Sequence, residues 1–400
     1  MRNVVLVDGV RTGFGRIGGT LKDFSMADLG AIALKGLLEK TQVTERGGHI
    51  DGIYMGGAFQ DCNAISLARY VALKAGLPYD VWATTMERQC GSAIESINHA
   101  AFAIMLGYAD IMVAGGSESF SKFTVKLSTF TAPNKMTAPE IMKNKLAPNP
   151  EDAIDMIETA ENVAKLYGIT REECDEFAYN SQKRAAAAWA KGYFDDEIIP
   201  VTIPATKKTP EIIFAKDEFM RPDTTPEGLA KLRSVKPGGV VTAGNASGRN
   251  DGGAMVFLMT EEKAKELGYE PFARFVCAGN SALDPKIMGL GPVASSLDAL
   301  KRAGLTVNDI DIWECNEAFA AQNLGVLRGL KDETGVSIDR NKWNVNGGAI
   351  SYGHPNGASG ARVCMFTMRE LARRGGKYGL FTSCCGGGLG VTTIIENLRK

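Results

Sequence analysis

Histidine is scarce in this chain of 400 residues: there are three, His49, His99 and His354. Charge imbalance is absent too. Lys and Arg total 45 against 46 Asp and Glu, a formal net charge of −1. Such a chain has no long-range field to gather nucleic acid or an anionic membrane, so neither is expected as a partner. No apolar run reaches the ~18 residues of a membrane helix. The opening Val4-Val5-Leu6-Val7 is too short for a signal peptide, and Asn397-Leu398-Arg399-Lys400 is not a peroxisomal tripeptide. The eight cysteines include no CxxC pair. A disulfide scaffold and a zinc cluster are therefore both disfavoured, and no metal is expected. Reduced thiols in a cytoplasmic protein are the simpler reading, and packing accounts for most of them. GxSxG and GxxxxGK[ST] are missing, so neither a hydrolase elbow nor a P-loop is supported.

What is present fits a globular chain of two or three units: 44% hydrophobic and 23% charged residues over 400 positions. Strands are expected over residues 3–8, 50–56, 81–86, 109–114, 254–259 and 310–315. Helices are expected over Met26 to Lys40 with Ser25 as N-cap, Leu67 to Ala75, Ala93 to Leu106, Thr170 to Lys191 and Ala358 to Arg374. Residues 119–248 change character, with Pro133, Pro139, Pro148, Pro150 and charged helices, and read as an insertion. The last third repeats the first. Ile50-Asp51-Gly52-Ile53-Tyr54-Met55-Gly56-Gly57-Ala58-Phe59 resembles Ile310-Asp311-Ile312-Trp313-Glu314-Cys315-Asn316-Glu317-Ala318-Phe319. The helix and strand ending Ala114-Gly115-Gly116 resemble those ending Cys385-Gly386-Gly387. Repeated strand–helix units imply two similar α/β halves packed together.

Five segments carry chemistry. In Glu87-Arg88-Gln89-Cys90-Gly91-Ser92-Ala93 a strand turns directly into a helix at Cys90. A sulfur at a helix N-terminus is favoured as thiolate, the nucleophile that acyl transfer needs; a buried packing cysteine is the plain alternative. In Gly353-His354-Pro355-Asn356-Gly357-Ala358-Ser359-Gly360, small neighbours let a substrate approach His354, although a histidine in a glycine-rich turn needs no function. His99 reads as structural and His49 as solvated. In Ser383-Cys384-Cys385-Gly386-Gly387-Gly388 adjacent thiols point to opposite faces, so one of them serves a given site. The glycines let backbone N–H groups face a ligand, as an oxyanion hole requires. Asn316, in Asn316-Glu317-Ala318-Phe319-Ala320, can hold a water, donate to an oxyanion or cap a helix. Val240 to Gly252 is small and polar, a close-approach loop or an ordinary linker. Gly13-Phe14-Gly15-Arg16-Ile17-Gly18 mimics a dinucleotide motif, but the helical pattern starts only near Ser25, too late for a nicotinamide turn.

Together these segments resemble the thiolase family. The likeness runs from Val10-Arg11-Thr12 to Gly390 and includes Thr159-Ala160-Glu161-Asn162-Val163-Ala164, Arg171-Glu172-Glu173 and Met288-Gly289-Leu290-Gly291-Pro292. The resemblance implies a five-layer α/β/α/β/α sandwich of two similar halves with an inserted helical loop domain. Residues 1–118 plus 249–270 would form the first half, 119–248 the insertion that covers the site and binds coenzyme A, and 271–400 the second half. It implies an acyltransferase that makes or cleaves 3-oxoacyl-CoA thioesters, in fatty acid β-oxidation or other lipid metabolism. By position, Cys90 would be the acylated nucleophile and His354 its activator. Cys384, two residues before Gly386 as the family's Cys-x-Gly requires, would be the acid/base. Asn316 would position a water, and the amides of Cys90 and Gly386 would form a second oxyanion hole. Ser247, Ala243, Met156, Met288 and Phe319 would line the coenzyme. Coenzyme A is then a substrate, no separate cofactor is implied, and a homodimer or homotetramer is expected.

The chain departs from the family pattern at four places. Glu87 stands where Asn is common, Asp155-Met156-Ile157-Glu158 replaces a His-led segment, Val235 stands where a Phe often packs, and Ser351-Tyr352 replaces an aliphatic pair. All are expected near the pocket, where they would alter acyl-chain specificity. Two other functions are weighed: a ketoacyl synthase-type condensing enzyme, and a non-catalytic scaffold that binds CoA or lipid. The intact Cys384 and Asn-Glu-Ala-Phe segment argue for catalysis.

Overall fold

The computed structural model describes residues 1–128, 138–142, 145–207 and 209–399; Pro133 lies outside them. The elements that position the site are strands β1 (Val4–Thr12), β2 (Gly52–Gly56), β3 (Trp82–Met86), β4 (Ile111–Ser119), β5 (Asn250–Thr260), β6 (Ala273–Ala282), β7 (Ile310–Cys315), β8 (Tyr378–Cys385) and β9 (Leu389–Asn397). The helices are α1 (Met26–Thr41), α2 (Leu67–Lys74), α3 (Ser92–Met105), α4 (Met156–Tyr167), α5 (Arg171–Ala190), α6 (Gly291–Ala303), α7 (Ala320–Thr334) and α8 (Asn356–Arg374).

The strand order is β7-β8-β9-β6-β1-β5-β4-β2-β3. It divides into two half-sheets of matching topology. β2 runs parallel to β4, and β4 antiparallel to β5. In the same way β7 runs parallel to β8, and β8 antiparallel to β9. Even β3 has a counterpart, an isolated parallel bridge between Trp313 and Trp343 beyond β7. The halves are joined edge to edge by two residue pairs, Val5↔Arg274 and Leu6↔Ala273.

Helices α1 and α2 cover one outer face and α6 the other, while α3 and α8 lie between the half-sheets and touch both. This is the five-layer sandwich of two similar halves. The middle layer is a shared core of Ile94, Ile97, Met112, Val256, Val363, Met365, Phe381 and Val391, among others. Its spacing depends on a close backbone crossing. A Cβ on Gly116 would lie 2.0 Å from the Gly357 carbonyl oxygen, and one on Gly357 would lie 2.3 Å from that of Ser117. The glycines let β4 pass against the first turn of α8.

Three strands are longer than the sequence suggests, β1 running on to Thr12. β4 continues through Gly115-Gly116 to Ser119, and β5 begins at Asn250, inside the segment read as a loop. The reason is pairing: Asp251↔Ser119 through Met259↔Ile111 form one unbroken register, which overrides weak local propensity. Ser25 caps α1 as expected, in a reciprocal capping box with Asp28. Between β4 and β5 the described chain forms α4, α5, a short helix Pro226–Ala230 and short strands such as Ile198–Ile199, which pairs with β1. Among the described residues no helix is long and apolar enough to cross a membrane.

Candidate active site

The ends of β3, β7 and β8 and the starts of α3 and α8 meet where the half-sheets face each other. Cys90 sits in a single 3-10 turn, Gln89–Gly91, that leads into α3. The turn is strained. Gln89 has φ of 48°, rare for a side-chain-bearing residue. Glu87 supports it: Glu87 Oε1 accepts the Gln89 backbone N–H at 2.8 Å and the Gln89 side-chain amide at 2.7 Å. The Ser383 hydroxyl donates to the Cys90 carbonyl at 3.4 Å, tying the turn to β8.

The backbone amides of Cys90 and Gly386 both point at the Cys90 sulfur. That convergence is the geometry of an oxyanion hole. It does not produce a resting thiolate. Burial outweighs the amides, Glu118 and Glu87 add unfavourable charge, and the Cys90 thiol is pushed up to about 12. The expectation of a thiolate stabilised by its helix N-terminus is corrected here, because the sulfur is desolvated more than the two amides repay. Deprotonation therefore needs a base at the moment of attack.

His354 is buried, and burial with the nearby Arg362 charge lowers it to about 3, so it is neutral near pH 7. Its tautomer follows from its partners. The Ser359 hydroxyl donates to the Pro355 carbonyl at 3.0 Å, so its oxygen accepts His354 Nδ1–H at 2.6 Å. The Nε2 lone pair is left facing the Asn316 amide at 3.2 Å. The His354 backbone N–H donates to Asn250 Oδ1 at 2.9 Å, with Gly353 before it at φ of 96°.

Asn316 follows β7 and caps no helix, since α7 starts at Ala320 with Phe319 as its N-cap. Asn344 frames it from both sides. Asn344 Oδ1 accepts the Cys315 N–H at 2.8 Å, and its amide donates to the Cys315 carbonyl and to Glu317 Oε1, each at 2.9 Å. The buried Asn316 Oδ1 has no partner among the described residues. It is an acceptor open to a water or ligand donor.

Cys384 and Cys385 diverge as strand neighbours must. Cys384 joins an apolar cluster with Ala160, Val241, Met288, Ala318 and Phe319, against which Met156, Ile157, Val240 and Ala246 pack. Cys385 points into the shared inter-half core. Desolvation, and then the neighbouring Cys90, Cys315 and Cys385 sulfurs, raise the Cys384 thiol well above its ordinary value. The structure thus gathers Met156, Met288 and Phe319 beside Cys384. Ser247 lies at the edge of this cluster, its N–H donating to the Ala318 carbonyl at 3.0 Å. Ala243 is exposed and stands outside it.

Of the departures from the family pattern, Glu87 braces the Cys90 turn and Met156 and Ile157 pack at the Cys384 cluster, whereas Asp155, Val235, Ser351 and Tyr352 do not join that cluster. Asp155 caps α4 and pairs with Lys236 at 3.3 Å on the surface. Val235 is exposed. Tyr352 is buried against Phe194 and Phe366, and Ser351 bonds the Gly348 carbonyl at 2.8 Å. His99 contacts Glu95 at 3.0 Å and stacks edge-on with Tyr54 and Phe102, away from Cys90. Sequence reasoning missed Ser359, Asn344, Asn250 as a histidine anchor, and Glu118. Only Glu118 carried a visible signal, a carboxylate in an otherwise uncharged strand.

Comparison with known proteins identifies the family. Two family models match in tandem: "Thiolase, N-terminal domain" over residues 4–262 and "Thiolase, C-terminal domain" over residues 269–397. The chain belongs to the thiolase family, and it is an acyltransferase. It is 43% identical to an acetyl-CoA acetyltransferase of Syntrophomonas wolfei, over 99% of this chain and 100% of that one. It is 42% identical to a β-ketoadipyl-CoA thiolase of Acinetobacter baylyi, over 100% of each chain. Human mitochondrial 3-ketoacyl-CoA thiolase in complex with CoA superposes with a TM-score of 0.88 at 40% identity, over 99% of this chain and 98% of that one.

Proposed function

We propose that Cys90, His354, Asn316, Cys384 and the Gly386 amide carry a reversible, ping-pong thiolase reaction on 3-oxoacyl-CoA. The observation that supports this most is the meeting of two amides on one buried sulfur, with a neutral histidine acceptor and an unpaired asparagine acceptor nearby.

In the cleavage direction the Cys90 sulfur attacks the 3-oxo carbon as its proton passes to a base, the role proposed for His354 Nε2. The oxyanion that forms is held by the Cys90 and Gly386 N–H groups. The carbon–carbon bond breaks, and its electron pair leaves as the enolate of acetyl-CoA. His354 and a water on Asn316 stabilise the enolate oxygen, and Cys384 protonates its carbon. Free coenzyme A then attacks the acyl-cysteine and gives its proton to the Cys384 thiolate. Cys90 departs and recovers its proton from His354. Condensation is the same path reversed. Each oxyanion donor contributes on the order of 10²–10³-fold.

Ser247, Ala243, Met156, Met288 and Phe319 are proposed to line the coenzyme arm. The proposed division remains 1–118 plus 249–270, 119–248 and 271–400, with the middle segment over the site. A homodimer or homotetramer is proposed because β3 ends the sheet with the uncharged edge Trp82-Ala83-Thr84-Thr85-Met86 beside exposed Tyr79. Such an edge is a template for another chain.

The test follows loss of 3-oxoacyl-CoA enolate absorbance with free coenzyme A across chain lengths, with Cys90→Ala as control. Turnover that disappears in the variant supports the reading, and the best substrate names the acyl group. Acyl-CoA binding without turnover at any chain length would favour the non-catalytic scaffold.

A further inference from the structure

Glu118 is a buried carboxylate that the reaction above does not use. It lies on β4, where every residue from Ile111 to Ser119 is buried, and is 2% exposed. Its Oε2 accepts the Ala58 N–H at 3.0 Å and the Gly357 N–H at 3.2 Å. Ala58 follows β2 in the first half, whereas Gly357 opens α8 three residues after His354. One carboxyl oxygen thus joins the two halves at the close crossing of β4 and α8. A crevice of about 10 Å³, roughly one water, reaches Glu118 between Phe59, Asp61 and Lys122.

We propose that Glu118 is a positioning residue of the acyl transfer: it ties the Ala58 loop to the first turn of α8, and its protonation state governs how readily the Cys90 thiol ionises. The proposal rests on the reading of Cys90 as nucleophile. The groups that face Glu118 are the Ala58, Phe59 and Gly357 amides and Asp251; those that face Cys90 are Glu118, Glu87, Cys384, Cys385 and two amides. Burial, with Asp251 adding to it, pushes the Glu118 carboxyl up to about 8 against the pull of the amides. Near pH 7 it is largely protonated and adds little charge beside Cys90. Above pH 9 it is ionised and opposes the thiolate.

The test is the rate of Cys90 alkylation by iodoacetamide from pH 6 to 10, with the labelled peptide mapped by mass. The wild-type logarithmic profile should rise less steeply around pH 8, as Glu118 ionises, and regain its slope above pH 9. Glu118→Gln should give a straight profile, matching wild type within about 2-fold at pH 6.5 and running several-fold faster at pH 9.5, since one pKa unit is tenfold in thiolate. Glu118→Ala also loses the tie between halves and should lower kcat about 10-fold while leaving KM for coenzyme A near wild type. Superimposed wild-type and Glu118→Gln profiles, with the label lost in Cys90→Ala, would overturn the Glu118 proposal alone. Thiolysis retained in Cys90→Ala would overturn the nucleophile reading and the proposal with it.

Discussion

The two halves of the molecule share a topology but not a way of holding chemistry. The first half presents one sulfur, at the tip of a strained turn, with backbone amides as its nearest polar neighbours. The second half presents His354, Asn316 and Cys384 from strand and helix ends, with His354 held by Ser359 and the backbone beside Asn316 held by Asn344. A nucleophile must move towards carbon, so a short turn suits it. Groups that hold an oxyanion or shuttle protons gain by staying fixed, because pre-set dipoles do not reorganise during the reaction. The two halves share the frame but use their strand and helix ends differently.

The largest break in this comparison should come from removing the group proposed to take the Cys90 proton. His354→Ala should lower kcat on the order of 10³-fold, within the range for general bases. Cys384→Ala should cost a similar factor in turnover yet still allow Cys90 to be acylated by an acyl-CoA, which mass spectrometry of the intact protein would show. A Cys384→Ala variant that turned over normally would remove the second half from proton transfer. Asn316→Ala should cost less, roughly 10²-fold in kcat, because His354 would still donate to the same enolate oxygen. An effect of Asn316→Ala confined to KM would mean that the residue binds substrate without aiding the transition state.

The frame was legible because repetition and spacing survive in sequence. The likeness between Ile50–Phe59 and Ile310–Phe319 marks β2 and β7 as equivalents, and both prove to be parallel partners of the strand that follows the middle-layer helix. Cys90, His354 and Cys384 stood out as rare residue types among small neighbours. Their supports did not. Ser359 and Asn344 act through distances set by tertiary packing, and a serine or asparagine in isolation looks like any polar residue. Burial was the other blind spot. A cysteine at a helix start suggests a low pKa, whereas enclosure by both halves raises it. The same blindness misplaced Tyr352, an unusual residue beside Gly353 that fills a separate aromatic core.

pH sharpens the contrast between a buried thiol and a buried imidazole. With Cys90 pushed up to about 12, its alkylation should keep rising to pH 10 without a plateau. A plateau near pH 7 would restore the resting thiolate. His354 acts on stability with a definite sign. Its folded value, about 3, lies below the ordinary 6.5, so the unfolded chain takes up the proton first. The stability gained from a neutral His354 is complete above about pH 6.5 and is lost progressively as pH falls towards 3. Urea midpoints should therefore drop between pH 6.5 and 4, and less steeply in His354→Asn.

The smallest expected effect comes from the neighbour of a catalytic candidate. Cys385 is as buried as Cys384 but faces the shared core, where its sulfur lies against Gly91 and Val391. Cys385→Ala removes one sulfur atom from packing and should cost about 1 kcal/mol of stability. Turnover should stay within about 2-fold of wild type, because strand alternation turns the side chain away from the Met156–Met288–Phe319 cluster. Paired with Cys384→Ala, it asks whether reactivity at this site follows residue type or strand face. If the two alanine variants lost activity equally, the thiols would act as a unit, and the assignment of the acid/base to Cys384 alone would fail.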